Sequence, residues 1–139
     1  MTALPSKISL RVYYEDTDAA GIVYYANYLR FIERGRTEFL RELGHDQNLL
    51  MKEGVAFAVR SVQAEYLKPA RLDDLLTVET SIAELGRAQL VFQQRIRRGE
   101  ELLLDAKIRV ACIDPARGKP IPMPRAIHEQ LSAMSGPAQ

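Results

Sequence analysis

Apolar residues fall into two rhythms along this chain, and the switch between them marks the elements. Ile8, Leu10, Val12 and Tyr14 alternate with Ser9, Arg11 and Tyr13. That period of two predicts a half-buried strand, because successive side chains point to opposite faces. Over residues 24–43 the spacing becomes helical. Tyr28, Phe31, Ile32, Phe39, Leu40 and Leu43 form an apolar stripe, and Arg30, Glu33, Arg34, Arg36, Glu38 and Arg41 populate the other side. Asn27 is placed to cap this helix and Gly44 to stop it. A second, short helix is expected over residues 48–53, ahead of Gly54.

The rest of the chain returns to alternation. Strands are predicted over 55–66, 75–85, 88–97 and 102–113, with Asp73-Asp74, Gly86 and Gly99 in the turns. Residues 115–124 hold four prolines and read as an extended tail, neither sheet nor helix, flexible from about 115. A terminal helix is expected over 125–134, with fraying over 135–139. The order of one strand, one long helix and a run of antiparallel strands gives an α+β fold in a single domain, 1–139, without an internal repeat. One helix covers one face of the sheet. Long apolar strands with free edges then predict that subunits pair edge to edge, making one sheet across a homodimer or homotetramer.

Charge narrows the classes of function. Nineteen basic residues against 18 acidic ones leave a formal charge of +1, so no global field exists for gripping nucleic acid or an anionic membrane. Only short clusters such as Arg95, Arg97 and Arg98 offer a local phosphate contact. Cys112 is the sole cysteine, which excludes an intramolecular disulfide and disfavours a zinc site. No apolar run reaches the ~20 residues of a membrane span, and residues 1–10 lack a signal-peptide pattern. A cytoplasmic protein without metal or redox cofactor is expected.

One segment carries the chemistry. Residues 11–28, Arg-Val-Tyr-Tyr-Glu-Asp-Thr-Asp-Ala-Ala-Gly-Ile-Val-Tyr-Tyr-Ala-Asn-Tyr, resemble the 4-hydroxybenzoyl-CoA thioesterase family, and more narrowly the acyl-CoA thioesterases associated with the bacterial Tol-Pal system. The likeness rests on Asp18, Gly21, Ile22, Val23, Asn27 and Tyr28, and continues through residues 33–38 and 66–74. It implies a hotdog fold, an antiparallel sheet wrapped around one long helix, with the active site between subunits. It also implies Asp18 as the catalytic carboxylate and the backbone N–H of Tyr25 as oxyanion donor. Many Tol-Pal-associated relatives carry histidine where this chain has Tyr25; here no imidazole is available, because only His45 and His128 exist.

Elementary chemistry agrees with that implication. A thioester carbonyl needs a nucleophile or an activated water, plus donors for the developing oxyanion. A loop feeding into a helix N-terminus supplies both, since the first helical N–H groups are unpaired and carry partial positive charge. Asp18 either attacks the carbonyl to form an anhydride or acts as general base on water. Gly21 allows close backbone approach, and Asn27 caps or orients the helix, with substrate contact a secondary role; both are candidate substrate-binding residues. Arg60 and Arg87 are candidate contacts for the phosphates or pantetheine amides of acyl-CoA or an acyl-carrier protein. Glu15 and Asp16 read as solvated loop or turn residues, and the Asp16/Asp18 pair is poor evidence for a metal. Tyr13, Tyr14 and Tyr24 read as packing residues, Cys112 as buried, His45 as a helix stop and His128 as exposed. Two other functions compete: a hydratase or dehydratase on acyl thioesters, disfavoured because no histidine lies near Asp18, and a non-enzymatic acyl-thioester binder or scaffold.

Overall fold

The computed structural model describes residues 5–134. Strand β1 (Ser6–Arg11) is followed by a single 3₁₀ turn (Tyr14–Asp16), helix α1 (Asn27–Glu42) and helix α2 (Gln47–Lys52). Then come β2 (Ala56–Tyr66), β3 (Leu75–Leu85), β4 (Gln89–Arg98), β5 (Glu101–Asp114), a two-residue β6 (Lys119–Pro120) and helix α3 (Arg125–Met134). The strands form one antiparallel sheet in the order β1-β3-β4-β5-β2, with β6 on β5. The fold is therefore the expected α+β hotdog arrangement, with α1 packed against β3, β1 and β4.

Alternation decides which face α1 covers. Leu76 and Val78 of β3, Leu90, Phe92 and Ile96 of β4, and Leu104, Ile108 and Val110 of β5 are buried. They meet Phe31, Ile32, Phe39 and Leu40 of α1, with Phe39 edge-on to Phe92 at 5.6 Å between centroids. The opposite face is polar, with Arg95 paired to Asp105 at 3.4 Å and Arg97 to Glu79 at 3.2 Å. Within the core, Gln94 is fully buried yet satisfied. Its amide donates to the Ile32 carbonyl at 2.8 Å and to Thr80 at 2.9 Å, and it accepts from Arg36 at 2.9 Å. This polar tie stitches helix to sheet without leaving a buried group unpaired.

The terminal helix falls at Arg125–Met134 as expected, but the segment before it is not free of sheet, because Lys119–Pro120 pair with β5. Prolines 120, 122 and 124 alternate with Ile121 and Met123, so the remaining N–H groups all point one way. Ile121 N–H reaches the Cys112 carbonyl and Met123 N–H the Arg87 carbonyl, both at 2.9 Å. Met123, Ile127 and Leu131 are buried, and α3 is tied to the end of α1 through Gln130, which bonds His45 and the Leu43 carbonyl. Fraying over 135–139 lies outside the described residues. As expected, Gly44 stops α1 in a left-handed conformation, φ +91°, and Cys112 is buried, which pushes its thiol pKa up.

Candidate active site

Strand β1 cannot continue past Arg11, because the chain there is pinned to the turn that precedes β3. Val12 N–H bonds the Asp74 carbonyl at 2.9 Å, and Asp73 N–H bonds the Val12 carbonyl at 3.0 Å. The following loop folds on itself. Asp18 N–H donates to the Ile22 carbonyl at 2.9 Å and Gly21 N–H to the Asp18 carbonyl at 3.0 Å, with Gly21 at φ +78°, a conformation that L side chains adopt at a cost. The Asp18 carboxylate accepts the Ala20 N–H at 2.8 Å, its second oxygen takes no hydrogen bond from the described residues, and the residue is exposed.

Asp16 carries the junction between loop and helix. One carboxylate oxygen accepts the Tyr13 N–H at 2.8 Å, the other the Asn27 side-chain amide at 2.9 Å, and its carbonyl accepts the Tyr24 N–H at 3.1 Å. Asp16 thus sits in a turn, as expected, but is half-buried scaffolding and not freely solvated. Asn27 is likewise not the cap: Ala26 occupies that position, and Asn27 is the buried first residue of α1, turned back to Asp16. Beyond it, no backbone carbonyl takes the N–H of Tyr25 or Ala26 among the described residues. The helix start therefore presents free donors beside the Asp18 loop.

A second segment buttresses this junction. Val23 N–H bonds the Ala70 carbonyl at 2.9 Å, Ile22 bridges Arg71, and Ala70 N–H bonds the Tyr28 hydroxyl at 2.9 Å. That segment is itself clamped by charge. Arg98 meets Asp74 and Glu101, each at 2.7 Å, and also the Pro69 carbonyl at 3.2 Å, while Lys68 meets Glu101 at 3.0 Å. Burial pushes the Asp74 carboxyl up, but the Arg71 N–H and Arg98 outweigh it and hold it below its ordinary value; Arg98 and Lys68 lower Glu101.

The aromatic residues around the loop are not packing residues as expected. Tyr14 is 83% exposed, and Tyr13, Tyr24 and Tyr25 also face outward beside Leu72 and Leu75. A strand rhythm carried past Arg11 cannot predict burial once the chain has turned. The two arginines separate. Arg60 sits, exposed, at the irregularity in β2 between Val59 and Ser61. Arg87 lies in the β3–β4 turn, where it lines a groove of about 480 Å³ with Met123, Arg125 and His128. Since the Asp18 loop adjoins the other end of β3, the length of that strand, roughly 30 Å, separates Arg87 from Asp18 in one chain. Among the described residues no group of three or more His, Cys, Asp or Glu is arranged to hold a metal ion, and no helix is long and apolar enough to cross a membrane.

The sequence profile of the Thioesterase-like superfamily matches residues 12–131. The chain belongs to that superfamily. The chain is 50% identical to the acyl-CoA thioester hydrolase YbgC of Escherichia coli O157:H7 over 119 residues, which cover 85% of this chain and 89% of that protein. A probable thioesterase from Bartonella henselae superposes with a TM-score of 0.83 at 42% identity, covering 86% of this chain and 99% of that one. A 1,4-dihydroxy-2-naphthoyl-CoA thioesterase from Synechocystis shares the fold at 22% identity, with a TM-score of 0.86 over 96% of this chain and 99% of that one. The family expectation drawn from the Asp18 loop is borne out. Missed beforehand were Asp16, Tyr66 and the Arg98 cluster, whose partners lie between 3 and 41 residues away and leave no local pattern.

Proposed function

We propose that this chain hydrolyses acyl-CoA thioesters to free CoA and a carboxylic acid, with Asp18 as the catalytic carboxylate and the Tyr25 N–H as oxyanion donor. The observation that carries the reading is the junction itself: an exposed carboxylate with one unengaged oxygen, on a loop locked by Asp16 to a helix start whose amides are free. Either route ends alike. Asp18 attacks the carbonyl carbon, the C–S bond breaks, and water opens the resulting anhydride; or Asp18 takes a proton from the water that attacks. In both, the thiolate leaves with the C–S electron pair, and the oxyanion is stabilised by amides already oriented before reaction.

In our reading the site is completed by a second copy. Strand β2 has β5 on one side only, and Val59, Val62 and Tyr66 are exposed along it. An eleven-residue edge with apolar side chains is the kind of surface that pairs with another strand. Pairing of β2 with its symmetry mate would bring Arg60 of each subunit to the shared edge and cover the tyrosines around Asp18. The test is a panel of acyl-CoA substrates followed by free-thiol release, with crotonyl-CoA hydration measured beside it. Thiol release without hydration is expected. Hydration would favour a hydratase, and neither activity would favour an acyl-thioester binder.

A further inference from the structure

Tyr66 ends β2, yet its side chain belongs to the start of α1. Its hydroxyl donates to the Tyr25 carbonyl at 3.0 Å. Its ring lies edge-on to Tyr28, with centroids 5.4 Å apart at 76°, and to Tyr25, at 6.5 Å and 82°. Tyr25 lies one residue ahead of the cap Ala26, so its carbonyl stands outside the hydrogen-bond ladder of α1. The phenol of Tyr66 takes it up instead, while the Leu29 N–H bonds the Ala26 carbonyl at 3.2 Å.

The consequence passes through the peptide plane. The C=O of Tyr25 and the N–H of Ala26 share one rigid unit and point in opposite directions. Fixing the carbonyl therefore aims the Ala26 N–H. The preceding unit is fixed in the same way, since the Tyr24 carbonyl accepts the Asn27 N–H at 2.8 Å, which aims the N–H of Tyr25. A donor on a carbonyl also polarises the amide across the same plane, making its hydrogen a stronger donor. Burial, and then the nearby Tyr25 phenol, push the Tyr66 hydroxyl above its ordinary value of 10.0, so it stays protonated through the neutral range.

We infer that Tyr66 is a positioning residue for thioester hydrolysis: its phenol clamps the Tyr25–Ala26 peptide so that Ala26 N–H serves as a second oxyanion donor beside Tyr25 N–H. This rests on the Asp18 reading proposed above, and the test separates the two. Tyr66→Phe keeps the ring and its edge-on packing and deletes only the hydroxyl. Wild type, Tyr66→Phe and Asp18→Asn are compared on one acyl-CoA by free-thiol release, with thermal unfolding as the fold check. The expected result is a kcat of Tyr66→Phe lowered by about 5- to 100-fold, with KM changed less than about two-fold. An unchanged kcat beside an inactive Asp18→Asn overturns the clamp and leaves the Asp18 reading standing. A raised KM at unchanged kcat makes Tyr66 a substrate contact and equally overturns it. Full activity of Asp18→Asn removes both. Should Tyr66→Phe melt below the assay temperature, para-aminophenylalanine in place of Tyr66 restores ring and donor together. Recovery of kcat in that variant is expected, and a folded variant without recovery contradicts the clamp.

Discussion

Gly35 lies inside α1 on the side that faces the sheet, and replacing it with alanine sets two effects against each other. Alanine is the better helix former by about 1 kcal/mol. A methyl at this position, however, would stand 2.8 Å from both Thr80 Oγ1 and Val78 Cγ1, and 3.0 Å from Gln94 Nε2. None of these neighbours is free to move: all three are buried, and Gln94 is bonded to both Thr80 and the Ile32 carbonyl. Overpacking of this kind costs about 1–3 kcal/mol, and disturbing the buried Gln94 bonds adds about 1–3 kcal/mol. Subtracting the propensity gain leaves a loss of about 1–5 kcal/mol. The corresponding fall in Tm is roughly 10 °C near the middle of that range. Urea unfolding followed by circular dichroism, at fixed protein concentration, measures it. In a Val78→Ala background one of the two shortest contacts is gone, so the same substitution should cost less there. A Gly35→Ala protein as stable as the wild type would refute the close seating of α1 on the sheet.

Three other outcomes follow from the site. Asp74 and Glu101 titrate below their ordinary values, so the stability they contribute is present above the unfolded carboxylate range and is lost as pH falls through their folded values. Arg98→Gln should therefore lower Tm near neutral pH, with the mutant and wild-type curves converging once pH falls below the folded values of both carboxyls; parallel curves would contradict this. Asn27→Ala removes the partner of Asp16 and should cost about 1–2 kcal/mol in urea unfolding while lowering kcat, whereas a stable, fully active variant would show that the loop is held otherwise. Asp73 sits at φ 71°, and among the described residues its carboxylate takes no hydrogen bond, so Asp73→Gly should raise stability by up to about 1 kcal/mol, and a clear loss in Tm would show that its side chain is needed.

Much of the fold was legible because its signals are periodic. The rhythm of two placed β3 at 75–85, where it is observed, and the long strands β4 and β5 within a residue or so at either end. The apolar stripe placed α1, though the helix begins at Asn27 and not at 24, because the tyrosines before it are held by loop bonds. In the C-terminal segment the helix at 125–134 was legible, whereas the pairing at Lys119–Pro120 was not, because prolines mask which alternate N–H groups remain to bond. At the site, Asp18, Gly21, Tyr25 and Asn27 do gather around one loop and one helix start. What escaped was the support: Asp16 against Asn27, Tyr66 against Tyr25, Arg98 against Asp74. The first closes an eleven-residue loop, and the other two join segments that only the folded sheet brings together. Arg87 lies at the opposite end of β3 within one chain, a separation that strand length sets and no local pattern displays.

The most direct test is kcat of Asp18→Asn on an acyl-CoA substrate that the wild type turns over. Asparagine keeps the oxygen that accepts the Ala20 N–H, so the loop should hold its shape while the carboxylate is lost. A fall of at least ~10²-fold in kcat, with an unchanged circular dichroism spectrum, is expected. Wild-type turnover by that variant would place the hydrolytic group elsewhere in the protein.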